Sequence, residues 1–291
     1  MKKLITYLIL LCSTATFAQQ ESMISFYQNH LNIVNPAFTG VKGETVLNLG
    51  VRKQWSGVAE APETQVLSFM TSLNDKVSLG LSVVNDKVFI EKQTFASIDF
   101  SYKLQLNETH NLFMGLKAGG NNYQVNALGL QTYNVMQDAS LQNISRFNPN
   151  VGIGFYLQHN DYFVSLSTPR MLNTERAKNE DGFATVATDR VHYYLSGGYN
   201  YVLNSDFTLK PTFMLRYVNG APVSSDITAN INYKEKAQLG LNYRTDSTVG
   251  ALAQFNLSDG FAIGYAYEYN TNSDLLGRAN GTNEFYMQIR F

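Results

Sequence analysis

Beyond its first dozen residues the 291-residue chain has no apolar run near the roughly 20 residues that a membrane-spanning helix needs, which excludes a helical membrane protein. Cysteine is all but missing. The single Cys12 falls in an N-terminal leader, so the mature chain has no disulfide and no thiol chemistry. Charge is scarce at 15%, against about 25% in ordinary globular domains, and the net charge of −1 excludes a general nucleic-acid binder, which is normally basic. The four histidines, His30, His110, His159 and His192, are scattered without metal-ligand spacing, so no metal or other cofactor is expected. Gly152-x-Gly154 and Gly197-Gly198 are followed by no helix signal and are not phosphate loops. His192 and Ser196 share one strand face, as a membrane-embedded hydrolase would arrange them, but an inward histidine among tyrosine and glycine reads as lumen packing. No enzyme is expected.

Aromatics are what the chain has in quantity: eighteen tyrosines and eighteen phenylalanines, 13% aromatic with the lone tryptophan. Aromatic wealth with little charge and no apolar block is the bulk signature of an outer-membrane β-barrel. A secretory leader precedes it over residues 1–18. Lys2 and Lys3 supply its charge, Leu4 to Leu11 its apolar core and Thr16-Phe17-Ala18 its cleavage site. Residues 19–44 are mixed rather than alternating and form a periplasmic or lumenal segment; residues 45–291 form the barrel.

Across that span the apolar period is two. Fourteen strands are predicted, at 45–53, 64–73, 76–84, 94–105, 111–119, 150–158, 161–168, 191–201, 207–217, 225–233, 236–244, 248–257, 260–269 and 283–291. Most have the 9 to 11 or so residues that a tilted strand needs to cross a bilayer. One face of each is uncharged, as in Ala96, Ile98, Phe100, Tyr102 and Leu104; only the second strand has an ambiguous phase. A lipid-facing Lys or Arg at the midplane costs about 2–4 kcal/mol, which accounts for the exclusion. Tyrosines and phenylalanines recur at the strand ends, among them Tyr193, Phe207, Tyr217, Tyr233 and Tyr243, as two interfacial girdles. Connections after even-numbered strands are short and those after odd-numbered strands mostly long, notably 120–149, 169–190 and 270–282. Short periplasmic turns and long external loops place both termini in the periplasm. The expected fold is therefore all-β, a 14-stranded antiparallel transmembrane barrel of the outer membrane, closed so that no strand edge faces lipid.

The last strand alternates Phe285, Met287 and Ile289 with polar residues and stops on Phe291, which resembles the assembly signal of bacterial outer-membrane barrels. Pro211 forfeits a ladder hydrogen bond, so a bulge is expected there. Inward positions carry Arg52, Lys103, Lys117, Lys210, Arg216, Arg244 and Arg290 against Asp99, Asp226 and Glu268. That bias reads either as a preference for anions or an acidic polypeptide, or as lumen salt bridges.

The sequence around the first hairpin is more specific. The run from Gln28 to Gly40 contains Asn35-Pro36-Ala37-Phe38-Thr39-Gly40; Arg52-Lys53-Gln54-Trp55 and Ala61-Pro62-Glu63-Thr64 follow. This resembles the PorP/SprF family of outer-membrane proteins, with its Asn-Pro-Ala-aromatic-x-Gly element and Arg-x-Gln-Trp…Ala-Pro-x-Thr hairpin. The resemblance implies a non-enzymatic barrel of the type IX secretion pathway of gliding and non-gliding bacteria. Such a barrel assists export or surface attachment of large adhesins through their C-terminal sorting domain. Its implied partners are outer-membrane lipid, other secretion components and that adhesin domain. The rival reading is a passive diffusion channel with mild anion preference.

The residues of the motif also read physically. Asn35-Pro36 is a turn or extended dipeptide, Gly40 ends it where a positive backbone angle is tolerated, and Arg52 points inward. Trp55 falls at the upper rim, as an interfacial anchor or a partner-binding aromatic.

Overall fold

The computed structural model describes residues 23–127, 143–172, 174–175, 188–245, 248–271 and 281–291. Fourteen antiparallel strands close into a barrel. They are β1 (Val46–Lys53), β2 (Glu63–Ser72), β3 (Val77–Val88), β4 (Glu91–Gln105), β5 (Asn111–Val125), β6 (Ile144–Gln158) and β7 (Tyr162–Thr168). Then come β8 (His192–Tyr199), β9 (Phe207–Val218), β10 (Ser224–Tyr233), β11 (Ala237–Arg244), β12 (Thr248–Ser258), β13 (Phe261–Asn270) and β14 (Thr282–Arg290). Each strand pairs with its neighbours in sequence, and β1 closes on β14 from Val46↔Arg290 to Lys53↔Asn283. Closure satisfies every strand's backbone laterally, as a bilayer core without water requires.

The alternation in the sequence is read out as two faces. Outward positions such as Ile98 (61% exposed), Leu116 (59%) and Leu241 (66%) leave large apolar side chains on the outer surface, where a membrane supplies their partners. Ring pairs mark both ends of this band: Tyr193 beside Tyr217 at the long-loop end, Phe207 beside Tyr233 at the short-turn end. The second strand resolves its ambiguous phase by burying Val66 and Met70 inward, while Leu67 and Phe69 face out. Val66 and Met70 interrupt an inner face that otherwise carries Thr64 and Ser68, because both pack on the N-terminal segment.

Three strand expectations change. Strands β4, β5 and β6 each run 15 residues and β3 runs on to Val88, so residues 85–88, 91–93, 120–125 and 144–149, expected in loops, extend the wall at the long-loop end. The three expected long loops otherwise fall largely outside the described residues. The predicted bulge at Pro211 is absent: β9 keeps continuous register with β10 through Pro211↔Ala229. Instead the ladder to β8 stops at Gly198↔Thr212 and resumes at Tyr201↔Leu209, skipping the proline that has no N–H to give. Among the described residues a register shift occurs instead between Asn256 and Ser258.

The interior is filled by the chain's own N-terminal segment. Met23, Ile24, Tyr27, Leu31, Ala37 and Phe38 form one apolar cluster with Val46, Val66, Met70, Phe113, Tyr156, Tyr194 and Met214 of the wall. The C-terminal Phe291 lies at the short-turn end, its N–H bonded to Thr45 O at 3.0 Å, and its ring is 78% exposed. Met23 does not share that end. Ser25 contacts Glu284, which sits opposite Arg52 near the long-loop rim, so the segment climbs the lumen from Gly40 upward.

Candidate functional site: a filled lumen below an apolar vestibule

The lumen segment is shaped by two short 3-10 turns, Leu31–Ile33 and Pro36–Gly40. Asn35 precedes the second in an extended conformation (φ −135°, ψ 104°), which is what a following proline enforces. Its Oδ1 accepts from Ala37 N at 3.0 Å and caps the turn, and Pro36 occupies the first position, where no N–H is needed. Its Nδ2 donates to Phe155 O of β6 at 3.0 Å, which ties the capped turn to the wall.

Inward glycines make the room. A Cβ at Gly154 would collide with Asn35 Oδ1, and one at Gly115 with the backbone N of Ala37. At Gly80 it would come within 2.9 Å of Thr39, and at Gly264 within 2.7 Å of the Phe26 ring. Gly40 also owes its place to smallness, because a Cβ there would meet Ser78 Oγ at 2.9 Å. The positive backbone angle expected of Gly40 occurs at Gly43 instead (φ 67°). Thus Gly152-x-Gly154, set aside above as no phosphate loop, includes a socket for the motif asparagine.

Polar contacts hold the upper half. Glu284 accepts from the backbone N–H of Ser25 (2.7 Å) and of Phe26 (3.0 Å), and Ser25 Oγ donates to Glu268 at 2.8 Å. Arg52 lies between the two carboxylates, 2.6 Å from Glu268 and 3.5 Å from Glu284. Arg244 extends the cluster to Asp226 at 2.5 Å and to Glu268 at 3.5 Å. Lower down, Lys117 pairs with Asp99 at 2.6 Å, and Asn32 bridges Asp99 to Ser68. All these groups are buried.

The lumen cations therefore divide. Arg52, Lys117 and Arg244 are spent on buried acids, which favours the wall-bracing reading for those three. Lys103 lies 6.0 Å over the Phe113 ring, Arg216 donates to Ser224 Oγ at 3.1 Å and Arg290 to Asp259 O at 3.3 Å. Lys210 is half-buried toward the short-turn end. Sequence reasoning omitted two inward acids, Glu284 and Asp86. Alternation against Phe285 would have supplied the first; the second lies on the unexpected extension of β3.

His30 is buried against Tyr286, ring centroids 5.5 Å apart, with neither ring nitrogen hydrogen-bonded. Burial, followed by repulsion from Lys42, lowers its pKa to about 3, so the imidazole is neutral. Ser196 Oγ sits 2.8 Å from Ser165 Oγ, and the His192 ring lies beside Tyr194 with centroids 6.3 Å apart. Among the described residues no group of three or more His, Cys, Asp or Glu could hold a metal ion.

Above the segment, at the long-loop end, a cavity of about 1030 Å³ opens. Its floor is Met23, Ile24, Tyr27, Ile33 and Val34 of the segment, and Val66, Val84 and Val88 line its wall. The second half of the motif reaches the same space. Gln54, Trp55, Pro62 and Thr64 all line it. The hairpin is held there by Gln54 N donating to Pro62 O at 2.9 Å and Thr64 Oγ1 to Asp86 at 2.5 Å. Trp55 takes a positive φ of 49°, rare for a bulky residue, and is turned to the cavity. The two halves of the motif, far apart in contact terms, thus bound one chamber: the first packs the segment below it, the second rims it.

The sequence profile described as "Type IX secretion system membrane protein PorP/SprF" matches residues 16–289. The chain belongs to the PorP/SprF family. It is thereby an outer-membrane β-barrel of the type IX secretion system. Comparison with curated protein sequences finds no match. Among solved structures the PorP/SprF barrel is similar to the Acinetobacter baumannii outer membrane protein Omp33, at 9% identity and a TM-score of 0.51, covering 85% of this chain and 98% of that one. It is also similar to the Ralstonia pickettii toluene transporter TbuX, at 8% identity and a TM-score of 0.53, covering 88% and 92%. At such identities the likeness is one of fold alone.

Proposed function

We propose that this PorP/SprF barrel is a docking partner for export or surface attachment of a large secreted adhesin, whose C-terminal sorting domain it captures at the long-loop end. The short turns face the periplasm and the vestibule faces outward. The observation that carries this reading is the convergence of Gln54, Trp55 and Pro62 on an apolar chamber whose floor is the chain's own N-terminal segment. A pore built for solutes leaves its lumen to water; here the lumen is packed, and the remaining space presents aromatic and aliphatic side chains of the kind that dominate protein–protein contacts. The protein acts by binding, without chemistry, and its partners include the other components of the secretion system. In a gliding cell the cargo is a motility adhesin.

Deletion of the gene tests the proposal. Loss of a sorting-domain adhesin from the cell surface, with the secretion machinery otherwise active, is expected. Unchanged surface display and secretion of every such protein would refute it.

A further inference from the structure

Resting on that docking reading, we infer that the vestibule itself is a peptide site: it seats an extended, apolar-patterned segment of the exported protein, laid across the barrel mouth. Three observations carry this. Elsewhere the inward wall positions are mostly serine, threonine and asparagine, such as Ser68, Asn121, Thr228 and Asn230. Here Val66, Val84 and Val88 of adjacent strands turn inward above an aliphatic floor. Leaving such surface in water costs about 25 cal/mol per Å², so an apolar occupant is favoured over solvent or ions.

The shape is that of a slot. Strands β3 to β6, of 12 to 15 residues, raise one wall of it well above the segment. Pro169 and Gly220, just past β7 and β9, line the cavity as well. The volume of about 1030 Å³ reaches the upper end of the range for small-ligand pockets, roughly 300–1,000 Å³, and gives room for several side chains.

The rim favours a polypeptide over a lipid. It carries both signs of charge, with Glu63, Asp86 and Glu91 against Arg170 and Arg190, where a single anionic headgroup would meet repulsion as well as attraction. Arg170 is spread over the Phe95 ring at 4.6 Å, and Trp55 and Tyr194 complete a set of the residue types in which binding hot spots are richest.

The test is made in cells on the full-length protein. A photo-crosslinking amino acid at Val84 is expected to capture a polypeptide identified as carrying the type IX sorting domain, whereas the same probe at lipid-facing Leu81 captures none. Val84→Trp, which fills the slot, is expected to lower surface adhesin at least tenfold while the barrel remains heat-modifiable in gels. Should Val84→Trp fail to fold, Ala221→Trp at the rim replaces it. A Val84 crosslink to lipid alone, or to nothing, overturns the inference, as does wild-type surface display in a folded slot-filled variant. If gene deletion abolishes display but the filled slot does not, the peptide site fails and the docking reading stands; if deletion also has no effect, the docking reading fails.

Discussion

Removal of the Arg52 side chain is the perturbation with the largest calculable effect on the lumen. Its guanidinium lies 2.6 Å from Glu268 and 3.5 Å from Glu284, all three side chains being at most 4% exposed. Arg52→Ala leaves two buried carboxylates facing one another, and truncation of one partner of a buried pair costs about 3–5 kcal/mol. Part of that loss is transmitted inward, because Glu284 also holds the Ser25 and Phe26 amides. The adjacent Lys53 supplies an internal control. Its pair with Glu63, at 3.6 Å, has a lysine side chain 66% exposed, and such pairs contribute about 0–1 kcal/mol. Urea unfolding of the purified barrel in detergent micelles, followed by tryptophan fluorescence, measures both. Arg52→Ala should be destabilised by several kcal/mol more than Lys53→Ala, with residues 23–30 becoming the first protease-sensitive site. Equal midpoints for the two variants would refute the claim that this cluster fastens the lumen segment.

Other predictions follow from the same packing. A cysteine placed at Ala37, which is fully buried, should resist thiol reagents in the native barrel, and adding Gly115→Val should make it react at least tenfold faster; equal rates would mean that Gly115 is no socket. Asn35→Ala removes both the turn cap and the bond to Phe155, a loss of about 1–3 kcal/mol readable in the same urea titration. His30 is neutral when docked, with a pKa near 3 against 6.5 when free. The undocked segment therefore binds the proton more readily. Stability is full above pH ~6.5 and falls by about 1.4 kcal/mol per pH unit as acid is added toward pH ~3. His30→Leu should remove this part of the pH dependence, and protease protection of the N-terminal segment that declines equally in both proteins would contradict it.

The wall was legible in the sequence because each of its positions answers a local question, lipid or lumen, and period-two alternation encodes the answer. The second strand shows where that reading stops. Val66 and Met70 are apolar on the inner face because the N-terminal segment lies against them, a contact between residues far apart in sequence that periodicity cannot register. The same holds for Gly115 and Gly154, whose missing side chains make sense only once Ala37 and Asn35 are in place. Arg52 could be assigned inward by phase, but its carboxylates come from the far end of the chain. Trp55 was placed at the rim; the positive φ that turns it to the vestibule is a property of the folded hairpin. Strand ends at β3 to β6 were not legible for a simpler reason: above the bilayer the outer face meets water, and the alternation that marks a strand in lipid fades.

Docking and diffusion make opposite demands on the lumen, and planar-bilayer recording of the purified wild-type barrel separates them most directly. With the segment from Met23 to Gly43 in place, the expected result is no steady ohmic conductance after insertion into a lipid film. A persistent open current, selective for anions, would contradict the account and return the protein to the class of diffusion channels.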